Sequence, residues 1–170
     1  MNTRLLTLSL IIFSIAMFRL LPHPPNVSPV AAMALFGGAY FSDKRVAFLV
    51  PFLALLLSDL LLGLHDTMIY VYGGFALTVI IGFWIRKNLN ISRVALAAVG
   101  SSVLFFIVTN FGAWVTSGLY PMTPDGLMQA YVAAIPFFQN SLLGNLVFTA
   151  LLFGGYAALQ RNVSSLAENA

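Results

Sequence analysis

Eight polar side chains in this sequence have the chemistry and spacing to bind a small molecule. They are Arg19, His23, Asn26, Asp59, Tyr72, Asn110, Trp114 and Asn140. Only one acidic residue, Asp59, lies inside an apolar run, so a catalytic acid–base pair is hard to assemble from Asp59, Asp66 and Asp125. We therefore expect a binding protein with no catalytic residues rather than an enzyme.

The sequence lacks the motifs of several common catalytic sites. His23 and His65 are too far apart for an H-E-x-x-H metal site, and neither a G-x-S-x-G turn nor a phosphate-binding G-x-x-x-x-G-K-[ST] loop is present. The absence of cysteine excludes a disulfide, a thiolate metal site and a cysteine nucleophile. We expect no metal and no cofactor.

The composition is that of a membrane protein. Of the 170 residues, 60% are hydrophobic and 8% are charged, whereas a soluble domain carries about 25% charged residues to hydrate its surface. A soluble protein is therefore excluded. The net charge of +3 reflects the scarcity of acidic residues. The sequence has no basic run interleaved with aromatic residues, so we expect no nucleic-acid partner.

Long apolar runs predict an all-α, integral membrane bundle of six helices in a single domain, residues 1–170. A helix needs about 20 apolar residues to cross a hydrocarbon core of about 30 Å. The second run is shorter than that and is approached through several prolines, which predicts a short or irregular helix. The predicted spans are residues 5–21, 28–41, 46–64, 68–85, 94–115 and 132–159.

The basic residues predict how these helices are oriented. With six spans, one side of the membrane has Arg19 alone, and the other side has the remaining basic residues and both chain ends. The positive-inside rule then predicts a multi-pass membrane protein with both termini in the cytoplasm. The residues on that side are Arg4, Lys44, Arg45, Arg86, Lys87, Arg93 and Arg161.

In this orientation the polar side chains lie mainly in the outer half, above an inner half of apolar and small residues. An ionisable group in a bilayer costs several kcal/mol unless it faces the bundle interior, water or a partner. We therefore expect a cup that is open to the outside. A channel would need polar groups through its whole depth.

Structural interpretations of the same residues stay open at this stage. Asp59 and Arg19 can form an ion pair that only holds helices together, or one that also contacts a ligand. His23 can be a solvated loop residue, Trp114 can belong to an interfacial aromatic belt, and Asn110 and Asn140 can hydrogen-bond to each other or to the backbone. Small residues four positions apart suit either internal packing or docking of another membrane protein.

Four segments of the chain form a recognisable set: Arg19 to Ala39 with its Pro-His-Pro-Pro-Asn, Ser58-Asp59 with Tyr72, Asn-Phe-Gly-Ala-Trp at 110–114, and Ala134 to Asn140. Together, over about residues 15–158, they resemble a family of bacterial six-helix membrane proteins, the DUF6580 type, which implies a protein of the bacterial inner membrane. By helix count, size and outward polar cup, the layout is in turn similar to the S components of energy-coupling-factor (ECF) vitamin transporters.

The resemblance implies a transport protein that captures a vitamin-like molecule from outside and releases it inward, with an ATPase-driven ECF partner or alone. Solitary cobalamin-binding relatives are similar in having a loop histidine and a membrane carboxylate, like His23 and Asp59. In those relatives a cysteine ligates cobalt, whereas this chain has Tyr70-Val-Tyr72 in that region and no cysteine. Ligation of cobalt by a thiolate is therefore excluded.

Two alternatives to a transport protein remain. One is an intramembrane enzyme that uses Asp59 and His23 on a lipid-linked substrate. The other is a non-catalytic assembly factor whose polar residues only hold the helices together.

Overall fold

A computed structural model describes residues 3–163 and residue 166. Within these residues the structure contains six α-helices and no strand, which confirms the all-helical prediction. A short 3₁₀ turn, Met17–Leu20, continues the first helix. The helices are α1 (Thr3–Ala16), α2 (Val30–Tyr40), α3 (Lys44–Leu62), α4 (Met68–Ile85), α5 (Ile91–Ser117) and α6 (Pro124–Asn162).

Five helical segments have the length and composition to cross a membrane: α1 with its 3₁₀ turn, α3, α4, α5 and α6. Together with the composition they indicate a membrane protein. Helix α2 is the exception, because its 11 residues rise only about 16 Å, roughly half of the hydrocarbon thickness. The prediction that the second helix is short is confirmed.

Helix α6 begins well before the predicted sixth run, at Pro124 rather than at residue 132. The Thr123 hydroxyl accepts a hydrogen bond from the Gly126 amide (3.2 Å), and Pro124 occupies the first helical position, where its missing N–H costs nothing. The turn-forming residues before Gly126 therefore start the helix instead of ending a loop. The helix continues through Pro136.

Helix α2 lies at the centre of the bundle. All of its residues are buried, and it packs against each of the other five helices. A helix that is apolar on every side is expected in the interior, and the single hydrophobic core contains residues of all six helices.

Two glycines let α2 and α4 approach closely. A Cβ atom added to Gly82 would lie 2.5 Å from the Leu35 carbonyl oxygen and 2.7 Å from the Gly38 Cα. The small residues of α2, such as Ala34 and Gly38, are buried, so on this helix they serve internal packing.

Two arginines bind the carbonyl groups at the end of α2. Arg4 Nη2 donates to the Tyr40 oxygen (2.9 Å), and Arg86 Nη2 donates to the Gly38 oxygen (2.8 Å). Arg86 Nη1 also donates to the Ser42 oxygen (3.1 Å). These bonds satisfy carbonyls left free at a helix C-terminus, where positive charge is favoured. We call this end of the bundle the inner end, and the opposite end, where α2 begins, the outer end.

We expect Gly82→Ala to lower the free energy of unfolding by about 1–3 kcal/mol, because the added methyl group has no room against α2. Thermal unfolding of the purified protein in detergent measures this. The control is Gly73→Ala in the same helix, where no heavy atom lies within 4 Å of the added Cβ. Equal melting temperatures for the two variants would contradict the close packing of α2 against α4.

Candidate functional site

A cavity of about 320 Å³ lies at the outer end, between the start of α2, helices α5 and α6, and the loop that precedes α2. Its mouth includes the exposed residues Asn26 and His65, and its wall combines hydroxyl and amide groups with phenylalanine rings. The lining residues are Arg19, Asn26, Ser28, Val30, Ala31, His65, Val71, Ser102, Phe105, Phe106, Thr109, Asn110, Ala134, Phe137, Phe138, Ser141 and Asn145.

The loop that closes one side of the cavity folds into a tight turn. The Val27 amide donates to the Pro24 oxygen (3.1 Å), and Asn26 adopts a positive φ of 63°. Proline at the second position and asparagine at the third are typical of a type II turn. Asn140 Nδ2 on α6 donates to the Pro25 oxygen (3.1 Å) and holds the turn in place. The Pro-Pro-Asn sequence thereby positions Asn26 at the cavity.

A buried ion pair borders the cavity. Arg19 Nη2 lies 2.6 Å from Asp59 Oδ1, and the Arg19 guanidinium also donates to the Ser58 hydroxyl. The Tyr72 hydroxyl donates to Asp59 Oδ2 (2.9 Å). The Asp59 side chain is buried, whereas that of Arg19 is 14% exposed and lines the cavity. The network joins the end of α1 to α3 and α4.

Both oxygens of Asp59 are therefore occupied by groups of the protein itself. The ion pair is present, as one of the interpretations of the sequence expected. The Asp59 carboxylate therefore holds the Arg19 guanidinium and the Tyr72 hydroxyl in place. Within this network, Arg19 is the residue that lines the cavity.

A second polar cluster, around Asn145, joins α5 and α6 at the base of the cavity. Asn145 Nδ2 donates to the Ala98 oxygen (2.8 Å) and to the hydroxyls of Ser102 (2.8 Å) and Ser101 (3.2 Å). Asn145 and Ser102 both line the cavity. This cluster was not predicted from the sequence, although one signal was available: Asn145 is an amide near the middle of the last apolar run.

An aromatic wall is the other part of the site that was not predicted from the sequence. Phe105 and Phe106 on α5 and Phe137 and Phe138 on α6 line the cavity. The Phe106 and Phe138 rings are 4.8 Å apart at an angle of 54°. The sequence contains 15 phenylalanines, so residue type alone did not separate these four from those in the core or facing lipid.

The structure brings five of the eight predicted site residues to the cavity or its border. Arg19, Asn26 and Asn110 line the cavity, while Asp59 and Tyr72 support Arg19 from behind. Asn110 Nδ2 donates to the Phe106 oxygen one turn earlier in its own helix (2.8 Å). Of the two expected arrangements, a bond between Asn110 and Asn140 is not formed, and both side chains bond to backbone carbonyls instead.

The other three predicted site residues anchor loops and do not line the cavity. His23 Nδ1 donates to the Leu21 oxygen (2.6 Å), and its ring lies 5.5 Å from that of Phe18. Trp114 Nε1 donates to the Pro121 oxygen (2.9 Å) in the connection between α5 and α6. Asn140 holds the turn before α2. Their placement gives them structural roles at the outer end.

His65 lies in the connection between α3 and α4, and its contacts are those of a turn residue. Its Nδ1 lies 2.8 Å from the Thr67 hydroxyl, and its backbone oxygen accepts from the Met68 amide. It also lines the mouth of the cavity. Across the described residues, no three histidine, aspartate or glutamate side chains are grouped so that they could hold a metal ion.

The chain was compared with known proteins. It matches the DUF6580 family, described as a family of unknown function, over residues 1–166. The chain belongs to this family. No curated protein and no solved structure gives a significant match, so the comparisons supply no link to ECF S components. Membership of DUF6580 confirms that part of the resemblance.

We expect Asp59→Leu to lower the free energy of unfolding by about 3–5 kcal/mol, because it leaves the Arg19 guanidinium buried without its partner. The double variant Arg19→Met/Asp59→Leu removes both charges and should recover much of that loss. Unfolding in mild detergent, followed by intrinsic fluorescence, measures both.

Tyr72→Phe is the matched control, because it removes one hydrogen bond to Asp59 and leaves the ion pair intact. We expect a cost of about 1–3 kcal/mol for it. If the double variant is less stable than Asp59→Leu alone, the ion pair does not account for the cost of the single substitution.

Proposed function

We propose that this chain is a multi-pass membrane protein that binds a small, vitamin-like molecule in its outer-end cavity, takes part in its transport and catalyses no reaction. The observation that carries the proposal is the cavity itself. Its volume of about 320 Å³ lies at the lower end of the range for ligand pockets. Its wall pairs apolar rings with a few polar groups, the combination that ligand sites use.

The lining suggests the class of ligand. The phenylalanine rings of α5 and α6 suit the face of a flat ring system. The Thr109 hydroxyl, the Asn110 amide and the hydroxyls of Ser28 and Ser141 suit the polar edge of such a ring. Because Asp59 compensates the charge of Arg19 at 2.6 Å, we expect a polar ligand of low net charge.

Transport requires the cavity to face the outside of the cell. Arg4 and Arg86 lie at the inner end of the bundle, and Arg161 lies with Tyr40 along a hollow at that same end. The positive-inside rule then supports an inner-membrane protein with both termini in the cytoplasm. Release inward would involve an ATPase-driven ECF partner or this chain alone.

Reporter fusions test this orientation. We expect a fluorescent protein fused to either terminus to fluoresce, and periplasmic alkaline phosphatase inserted between Gly63 and Thr67 to be active. An insertion between Lys87 and Asn90 is the control that should report the cytoplasm. Finding either terminus outside the cell would contradict an outward-facing cavity.

Thermal-shift screening against vitamins, nucleobases and cobamides tests binding. For any ligand found, we expect Thr109→Val to weaken binding about three- to tenfold, which corresponds to one hydrogen bond. The matched control is Thr116→Val. Both hydroxyls donate to a carbonyl one turn earlier in α5, at 2.8 and 2.9 Å, but only Thr109 lines the cavity.

Equal affinities for the two threonine variants would contradict binding in this cavity. If no ligand is found and Asn110→Ala changes only the stability, the result favours an assembly factor. Two observations weigh against the intramembrane enzyme: Asp59 is held by Arg19 and Tyr72, and His23 does not line the cavity.

A further inference from the structure

A second, larger hollow lies at the inner end, in a groove between the start of α5 and the end of α6. Its volume is about 1,300 Å³, and it is distinct from the outer-end cavity, with which it shares none of its lining residues. The groove is lined by Tyr40, Leu89, Asn90, Ile91, Ser92, Arg93, Val94, Ala95, Ala98, Leu146, Thr149, Ala150, Phe153, Gly154, Ala157, Ala158 and Arg161.

The groove changes character along its length. At the inner end it is bordered by Arg93 and Arg161, with the polar residues of the α4–α5 connection beside them. Further along the two helices the lining becomes small and apolar, as at Ala98, Ala150 and Gly154. The cationic end of the groove suits the charged headgroup of an amphiphile, and the apolar part suits its hydrocarbon chain.

The two arginines at the mouth differ from the other arginines packed into the bundle. Arg4 and Arg86 bind the end of α2, and Arg19 binds Asp59. By contrast, the side chains of Arg93 and Arg161 have no hydrogen-bond or ion-pair partner in the described part of the chain, and both residues are exposed. A guanidinium presents several N–H donors in a fixed plane that suits a phosphate group.

We propose that this groove binds an anionic phospholipid of the surrounding bilayer. The lipid phosphate lies between Arg93 and Arg161, and one acyl chain runs along the small residues of α5 and α6. Basic hollows between membrane helices at the cytoplasmic side bind lipid headgroups in this way. The site does not depend on what the outer-end cavity binds.

A lipid fits the groove better than a helix of another membrane protein does. An apolar helix laid between α5 and α6 would cover the mouth and leave two cations without a counter-charge, which is costly in a medium of low dielectric. A phospholipid supplies the charge and the hydrocarbon chain in one molecule. No heavy atom lies within 4 Å of a Cβ atom added to Gly154. This open space leaves room for an acyl chain.

Native mass spectrometry of the delipidated protein in detergent tests this proposal. The probes are phosphatidylglycerol, phosphatidylcholine with the same chains, and inorganic phosphate. We expect saturable binding of one phosphatidylglycerol molecule, with a clear preference over phosphatidylcholine. Displacement of the lipid by equimolar inorganic phosphate would overturn the proposal, because the site would then be one for free phosphate.

Two sets of variants test separately how the lipid headgroup and the acyl chain contribute to binding. Arg93→Gln/Arg161→Gln should weaken phosphatidylglycerol binding about fivefold per arginine, from about 1 kcal/mol per basic residue at an anionic lipid surface. Its control is Arg45→Gln/Lys87→Gln, which removes the same charge away from the groove. Gly154→Leu should block the path of the acyl chain and weaken the binding of both phosphatidylglycerol and phosphatidylcholine. Its control is Gly100→Leu, also in open space but outside the groove.

Thermal unfolding of each variant shows that it is folded before binding is compared. Equal losses for Arg93→Gln/Arg161→Gln and its charge control would overturn the proposal, because binding would then follow overall charge. Unchanged lipid binding in Gly154→Leu would overturn it as well. A change in the mass of the assembly instead of in lipid occupancy would assign the groove to a second copy of the chain.

Discussion

Helix α2 has to satisfy both of its ends inside the protein, because the hydrocarbon core offers no water to its free backbone groups. It is buried along its whole length and is about half as long as a membrane span. At the inner end, Arg4 and Arg86 supply donors for its last carbonyls. At the outer end, the remaining depth is taken up by a proline-rich turn and the cavity. Because α2 is short and central, its last carbonyls need the two arginines as donors. Its shortness also leaves room at the outer end for the cavity.

The Arg19–Asp59 pair connects stability to the site. It joins the end of α1 to α3, and through the Tyr72 hydroxyl it also reaches α4. Breaking a buried pair is far more costly than replacing both partners, so the network constrains how these three helices are arranged. Because Arg19 also lines the cavity, the shape of the cavity depends on that arrangement.

Much of the fold could be predicted from hydropathy and turn chemistry. The fourth run was predicted with the bounds of α4, Met68–Ile85, and the short second helix followed from its length and its prolines. The start of α6 was not predicted, because Thr123 and Pro124 suit a loop as well as a helix cap. The Thr123 cap and the contact of the added turns with α5, where the Tyr131 hydroxyl donates to the Ile107 oxygen, show that this segment starts a helix here.

The depth of the site residues in the membrane could be predicted from the sequence, but the direction in which their side chains point could not. Hydropathy places Asn110, Trp114 and Asn140 near one end of the membrane, yet it does not determine which way each side chain points. Asn110 faces the cavity, whereas Trp114 binds the Pro121 carbonyl and Asn140 binds the Pro25 carbonyl. Rotation about a helix axis is decided by contacts between residues far apart in sequence. Asn145 was missed for the same reason.

The ion pair beside the cavity also limits how membrane voltage can act on the cavity wall. Of the lining residues that the structure describes, Arg19 has the one permanent charge, and the Asp59 carboxylate cancels it at 2.6 Å. Moving an elementary charge through the whole membrane field involves about 2.3 kcal/mol per 100 mV. A rearrangement of the cavity wall that moves Arg19 and Asp59 together therefore carries no net charge through the field, and membrane voltage neither drives nor opposes it.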